Sequence, residues 1–115
     1  MTGHPSYARL KIVAMDRLLE DFSGAVHKAL GNHLRQLVLF GSRARGDAHE
    51  GSDYDILALV DQRTPELDEK LLDIATRMLD EYGELFAVVL RSEEEWAKVQ
   101  GFPLAMNIAR EGKLL

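Results

Sequence analysis

The residues of this chain best suited to chemistry lie between Gly41 and Asp55, in Gly41-Ser42-Arg43-Ala44-Arg45-Gly46-Asp47-Ala48-His49-Glu50-Gly51-Ser52-Asp53-Tyr54-Asp55. On an extended strand, Asp53 and Asp55 fall on one face, roughly 7 Å apart along it, and can converge on a hard cation between them. Mg²⁺ takes one or two protein carboxylates and completes its shell with waters and phosphate oxygens. At the other end of the segment, Gly41 follows the apolar run Leu37-Val38-Leu39-Phe40 and permits close backbone approach to a ligand. Ser42 and the N–H groups after it suit a phosphate, and Arg43 and Arg45 offer charge-assisted hydrogen bonds. A phosphate-holding turn and a cation-holding pair together describe a nucleoside triphosphate site with Mg²⁺ as its metal.

Positioning these groups requires two strands joined by a long loop. Leu37 to Phe40 is a short apolar, partly β-branched run that predicts the first strand. Tyr54 to Val60 predicts the second; its period of two sends Asp53, Asp55, Leu57 and Leu59 to one face and Tyr54, Ile56, Ala58 and Val60 to the other. Ile12, Met15, Leu19, Phe22, Val26 and Leu30 recur at helical spacing, so a helix is expected from about Tyr7 to Leu30, ending near Gly31. Thr64 caps a second helix with Pro65 in its first turn, Leu67, Leu71, Ile74, Met78 and Leu79 as its apolar stripe, and Gly83 as its stop. Leu85 to Leu90 reads as a third, buried strand, Ser92 and Glu95 as a capping box opening a short helix, and Leu104 to Glu111 as a last short helix closed by Gly112.

Composition bounds the function. The 115 residues, 46% hydrophobic and 29% charged, describe an ordinary soluble globular chain with one core, hence a single domain over 1–115 with no room for a separate substrate domain. The longest apolar run, Leu85 to Leu90, is too short to span a bilayer, and the N-terminus has no signal-like pattern, so a cytoplasmic protein without membrane contact is expected. With no Cys, disulfides, thiolate catalysis and Cys-based zinc sites are excluded. His4, His27, His33 and His49 show no metal-ligand spacing. A net charge of −5 argues against nonspecific nucleic-acid binding, although residues 61–95 carry 11 acids and four bases (−7), which leaves +2 elsewhere, on the side of the motif.

Gly41-Ser42, the Arg43-Ala44-Arg45-Gly46 that follows, and Asp53-Tyr54-Asp55, with ten residues intervening after Ser42, resemble the signature of the DNA polymerase β-like nucleotidyltransferase superfamily. The short chain is similar to its minimal nucleotidyltransferase branch, the small partners of HEPN-domain ribonuclease toxins. The resemblance implies an α+β fold, a small mixed palm-like sheet backed by helices. It further implies that Gly41 and Ser42 bind the triphosphate of ATP or another NTP, and that Asp53 and Asp55 are catalytic and ligate Mg²⁺ during transfer of NMP, most often AMP, with pyrophosphate leaving. An isolated Asp-x-Asp beside a turn is ordinarily a pair of solubilising acids; the Gly-Ser turn at the family's spacing reverses that reading. Arg43 and Arg45 divide evenly between phosphate contact and solvated surface.

One departure bears on activity. The family places a third carboxylate on the next strand, and Leu85-Phe86-Ala87-Val88-Val89-Leu90 contains no acid; Glu84 is the nearest substitute, with a partner's residue as the alternative. Two functions therefore stand side by side. One, implied by the resemblance, is transfer of AMP to a hydroxyl of a protein acceptor, such as a Tyr of a HEPN toxin to which this chain is the antitoxin. The other is a catalytically degenerate module that neutralises its partner by contact, its acidic 61–95 half against a basic surface. Nucleotidylation of a small molecule needs an acceptor-binding domain for which the chain is too short. Trp96 packs its short helix on the sheet in preference to anchoring a partner.

Overall fold

The structure, a computed structural model, describes residues 17–115. The start of the expected first helix, with Ile12 and Met15, and His4 lie outside the described residues. Among the described residues there are five α-helices and four strands: α1 (Arg17–Leu30), β1 (Leu34–Phe40), α2 (Ser42–Arg45), β2 (Tyr54–Val60), α3 (Pro65–Tyr82), β3 (Phe86–Ser92), α4 (Glu93–Lys98), α5 (Pro103–Glu111) and β4 (Lys113–Leu114). The strands form one mixed sheet in the order β3-β2-β1-β4, with β1 antiparallel to β2 and β4, and β3 parallel to β2. This is the α+β architecture expected from the sequence, helices backing a small mixed sheet.

Strand alternation divides the core in two. Leu37 and Leu39 of β1 and Tyr54, Ile56, Ala58 and Val60 of β2 face α1 and α3, where Phe22, Val26, Leu30, Leu71 and Met78 are buried against them. Phe86 stacks between Phe22 and Tyr54, with ring centroids 4.2 and 4.6 Å apart. Such stacked pairs add about 0.5–1.5 kcal/mol beyond the area they bury. Holding Tyr54 on the helical side in this way turns its neighbours Asp53 and Asp55 to the opposite face. There, Val38, Leu57 and Leu59 meet Ile108 of α5, with Phe40, Val89 and Trp96 partly buried beside them. Trp96 thus packs on the sheet, as its helix required.

The caps follow local sequence. The Thr64 side chain accepts a hydrogen bond from the Leu67 N–H, and Gly83, at φ 71°, ends α3 in the left-handed conformation. Ser92 and Glu95 form the complete capping box of α4. Three expectations are corrected. β1 starts at Leu34, three residues before the apolar run, because its early residues pair with the end of β2 through an irregularity between Leu34 and Gln36. β3 is an edge strand rather than a fully buried one: it pairs with β2 alone, and Ala87, Val88 and Val89 are half-buried. Leu79 lies outside the packed stripe of α3, 45% exposed. None of the helices among the described residues is long and apolar enough to cross a membrane.

The C-terminal turn matters most for the site. Gly112 donates its N–H to the Ile108 carbonyl at 2.7 Å, and the chain then pairs with β1, Lys113 opposite Leu39 and Leu114 opposite Val38. A Cβ at Gly112 would lie 2.6 Å from the Ile108 carbonyl oxygen and 2.7 Å from Val38 Cγ1, so only glycine lets α5 pass this close to the sheet. Gly112→Ala is expected to destabilise the fold by about 1–3 kcal/mol through overpacking. Gly24→Ala, in the exposed interior of α1 with open space around it, is expected to stabilise by about 0.5–1 kcal/mol. Urea denaturation of both variants checks the pair, and opposite signs are the required result.

Candidate active site

The site forms where β1 ends beside the start of β2. Phe40 pairs with Asp55 across the antiparallel ladder, so the next residue of β1, Gly41, arrives beside the Asp55 carboxylate. Gly41 has φ 76°, and a Cβ on it would be driven into that carboxylate, 3.1 Å from Cγ. Glycine is needed on both grounds, backbone conformation and space. The Gly41 carbonyl then accepts the N–H groups of Ala44 and Arg45, each at 3.0 Å, starting the single turn of α2. Gly46, at φ 86°, closes it. In a turn so begun, the N–H groups of Ser42 and Arg43 have no acceptor within the helix.

Asp55 is half-buried and Asp53 exposed, both on the face opposite Tyr54. Burial holds the Asp55 carboxyl above the usual carboxylate pKa; the negative charges of Asp53 and Glu111 push it further, and Arg45 opposes them. Two acids that repel each other across one strand face form a hard-oxygen donor set, which fits a divalent cation. Among the described residues no group of three His, Cys, Asp or Glu side chains could hold a metal ion. A pair of carboxylates therefore leaves most of such an ion's coordination shell to water and phosphate oxygens.

The two arginines take different places. Arg43 donates through Nε (3.3 Å) and Nη2 (2.9 Å) to the Ser52 carbonyl, and its guanidinium lies 4.3 Å from the Tyr54 ring centroid. It ties the long loop to the helical side of the sheet. Glu84 lies beside it, 3.7 Å from Nη2. Glu84 is thus engaged on the Tyr54 side, and the β3 residue in register with Asp55 is Ala87. Arg45 is on the Asp55 side, donating to Asp47 at 3.2 Å and to Glu111 at 3.3 Å; these hydrogen bonds raise its already high pKa.

Glu111 is the residue that the sequence did not mark. Its Oε2 accepts the Gly41 N–H at 2.7 Å, and its side chain is only 13% exposed. The β1–β4 register explains the contact: with Lys113 opposite Leu39, two further steps set Glu111 opposite Gly41. The available signal was an acid in the last turn of a helix, where the dipole disfavours it, directly before a glycine.

The shift at Asp55 carries a stability prediction. Its pKa is above 3.8 in the fold, so its contribution to stability is complete below the unfolded value and is lost as pH rises through the raised one. Asp55→Asn is therefore expected to melt at a higher temperature than the wild type at pH 7, the difference shrinking as pH falls towards 4. Calorimetric scans across that range check it; a variant less stable at pH 7 would show that the ionised carboxylate is not under strain.

Known proteins share the sequence and fold of this chain. The family model for a nucleotidyltransferase domain matches residues 19–114. A Methanocaldococcus jannaschii protein provisionally named protein adenylyltransferase MJ0604 is 30% identical over 100 residues, covering 87% of this chain and 96% of its own. A second from that organism, provisionally named protein adenylyltransferase MJ0141, is 36% identical over 75 residues, covering 64% of this chain and 75% of its own. Among solved structures, a Sulfolobus solfataricus protein provisionally named a nucleotidyltransferase superposes with a TM-score of 0.55 at 22% identity, over 99% of this chain and 90% of that one. A toxin–antitoxin structure with AMP-PNP does so with a TM-score of 0.57 at 20% identity, over 83% of this chain and 70% of that one. By sequence and by fold, the chain belongs to the nucleotidyltransferase domain family.

Proposed function

We propose that this nucleotidyltransferase moves AMP from ATP to a hydroxyl of a protein acceptor, with Mg²⁺ held by Asp53 and Asp55 and the triphosphate on the Gly41-Ser42 turn. The observation that carries the reading is the approach of Gly41 to Asp55, which sets the backbone turn at the start of α2 against the pair of acids. The names of the two M. jannaschii relatives support a protein acceptor. The fold shared with a toxin–antitoxin component supports a toxin as that acceptor, and a HEPN-domain toxin is the one the motif's resemblance implies.

The chain's own residues do the following. Gly41 N–H and Ser42 hold the β- and γ-phosphates, and Arg45, on the Asp55 side, balances their charge. Arg43 keeps the loop closed through Ser52 and Tyr54 and so fixes the turn on which the phosphates rest. Asp53 and Asp55 hold the metal, which when bound neutralises charge developing on the phosphate oxygens. The acceptor oxygen forms a bond to the α-phosphorus in line with the bridging oxygen. That P–O bond breaks, pyrophosphate leaves with the electron pair, and the hydroxyl proton passes to solvent. Rate enhancement comes from positioning and charge rather than from a covalent enzyme intermediate.

Ala87 beside Asp55 supports a second reading, a degenerate module that binds its partner without transfer. One experiment separates the two. The protein is incubated with α-labelled ATP, Mg²⁺ and a lysate of its source cell, alongside Asp53→Ala/Asp55→Ala. Label on one acceptor band, reduced in the variant on the order of 100-fold or more, is the expected result. A partner captured without label, by a contact that weakens with salt and ignores both substitutions, would establish the binding module instead.

A further inference from the structure

We propose that Glu111 is the resident anion of the phosphate-binding turn, holding the Gly41 N–H and the Arg45 guanidinium until an incoming polyphosphate displaces it. The inference rests on the reading of Gly41-Ser42 as the triphosphate turn and deepens it.

The geometry is that of an anion in a donor cradle. One carboxylate takes a backbone N–H at 2.7 Å and a guanidinium at 3.3 Å, largely out of solvent. These two donors are among the groups that the proposed function assigns to phosphate. A single N–H cannot serve both acceptors at full strength, and a phosphate beside Glu111 and Asp55 would add negative charge to a place where each already opposes the other.

Glu111 is also placed against its own helix. It is the last residue of α5, where the exposed carbonyls favour a cation, and Arg110 before it would suit that end. What keeps the carboxylate there is the Gly41–Arg45 cradle, delivered by the β1–β4 register and by the room that Gly112 makes against Val38. With three rotatable side-chain bonds, Glu111 can give up both contacts while the sheet stays as it is. Glu111 is therefore a positioning residue. It keeps the turn formed in the absence of nucleotide, and its departure is a charge-selective toll on entry, passed by a group with more negative charge than a carboxylate.

The test is calorimetric titration of inorganic tripolyphosphate, and separately of ATP, into the wild type, Glu111→Gln and Glu111→Ala, first in EDTA and then with Mg²⁺. Glu111→Gln keeps an oxygen for the Gly41 N–H while removing the charge, which guards against loss of the fold in Glu111→Ala. Melting temperatures verify that each variant is folded. The expected result is tripolyphosphate affinity about tenfold tighter in both variants without metal, the equivalent of about 1.4 kcal/mol. A merely structural glutamate would give the opposite change. Unchanged or weaker binding in the variants, with the wild type still binding, overturns the role of Glu111 and leaves the triphosphate turn standing. No binding to any of the three, with or without Mg²⁺, overturns the triphosphate turn itself and the role of Glu111 with it.

Discussion

The backbone of Gly41 lies against the carboxylate of Asp55, and the rest of this end of the molecule is arranged around that contact. It exists because Phe40 and Asp55 are opposite each other in an antiparallel pair, so that β1 leaves the sheet where β2 enters it. The 14 residues between Phe40 and Asp55 then have one duty, to connect these points without crossing the opening. Arg43 anchors that connection to Ser52 and Tyr54, and the stack of Tyr54 on Phe86 and Phe22 fixes which face Asp55 must take. Packing on the helical side thus sets the chemistry on the other.

The same contact concentrates negative charge. Asp53, Asp55 and Glu111 face a site in which Arg45 is the opposing cation, and burial first, then the neighbouring negative charges, holds the pKa of Asp55 above the usual carboxylate range. A fold selected for stability alone would neutralise such a cluster or spread it. Its persistence beside a turn that only glycine can make is the pattern expected where structure is held for function, with the stability supplied elsewhere by the aromatic stack and the capped helices. The acids of α3 are a different case, since Glu66 and Asp68 lie in its first turn, where the helix dipole favours them.

Local signals in the sequence were enough for much of this. The bounds of β2 followed from the largely apolar run Tyr54 to Val60, and the caps at Thr64, Gly83 and Ser92 from residue types at the helix ends they serve. The apolar run of β3 did not distinguish a buried strand from an edge strand, because a strand paired on one side and half-covered by helices needs the same residues. β4 is two residues long, below any periodicity, and it was this strand that carried Glu111 to Gly41. Asp53 and Asp55 could be seen as a pair because they share one strand; Glu111 could not join them on paper because its place depends on a register set 56 residues from Asp55. The split between Arg43 and Arg45 was likewise hidden, since their different partners, Ser52 and Glu111, come from separate parts of the chain.

The central claim is that the Gly41 turn and the Asp53/Asp55 pair form one site for a metal-bound triphosphate. Nuclear magnetic resonance of the ¹⁵N-labelled protein with AMP-PNP and substoichiometric Mn²⁺ addresses it directly, because the paramagnetic ion broadens only the amides near it. The account predicts selective loss of the signals of residues 41–43 and 53–55, abolished in Asp53→Ala/Asp55→Ala. Broadening centred on the acidic surface of α3, or spread evenly over the chain, would contradict it.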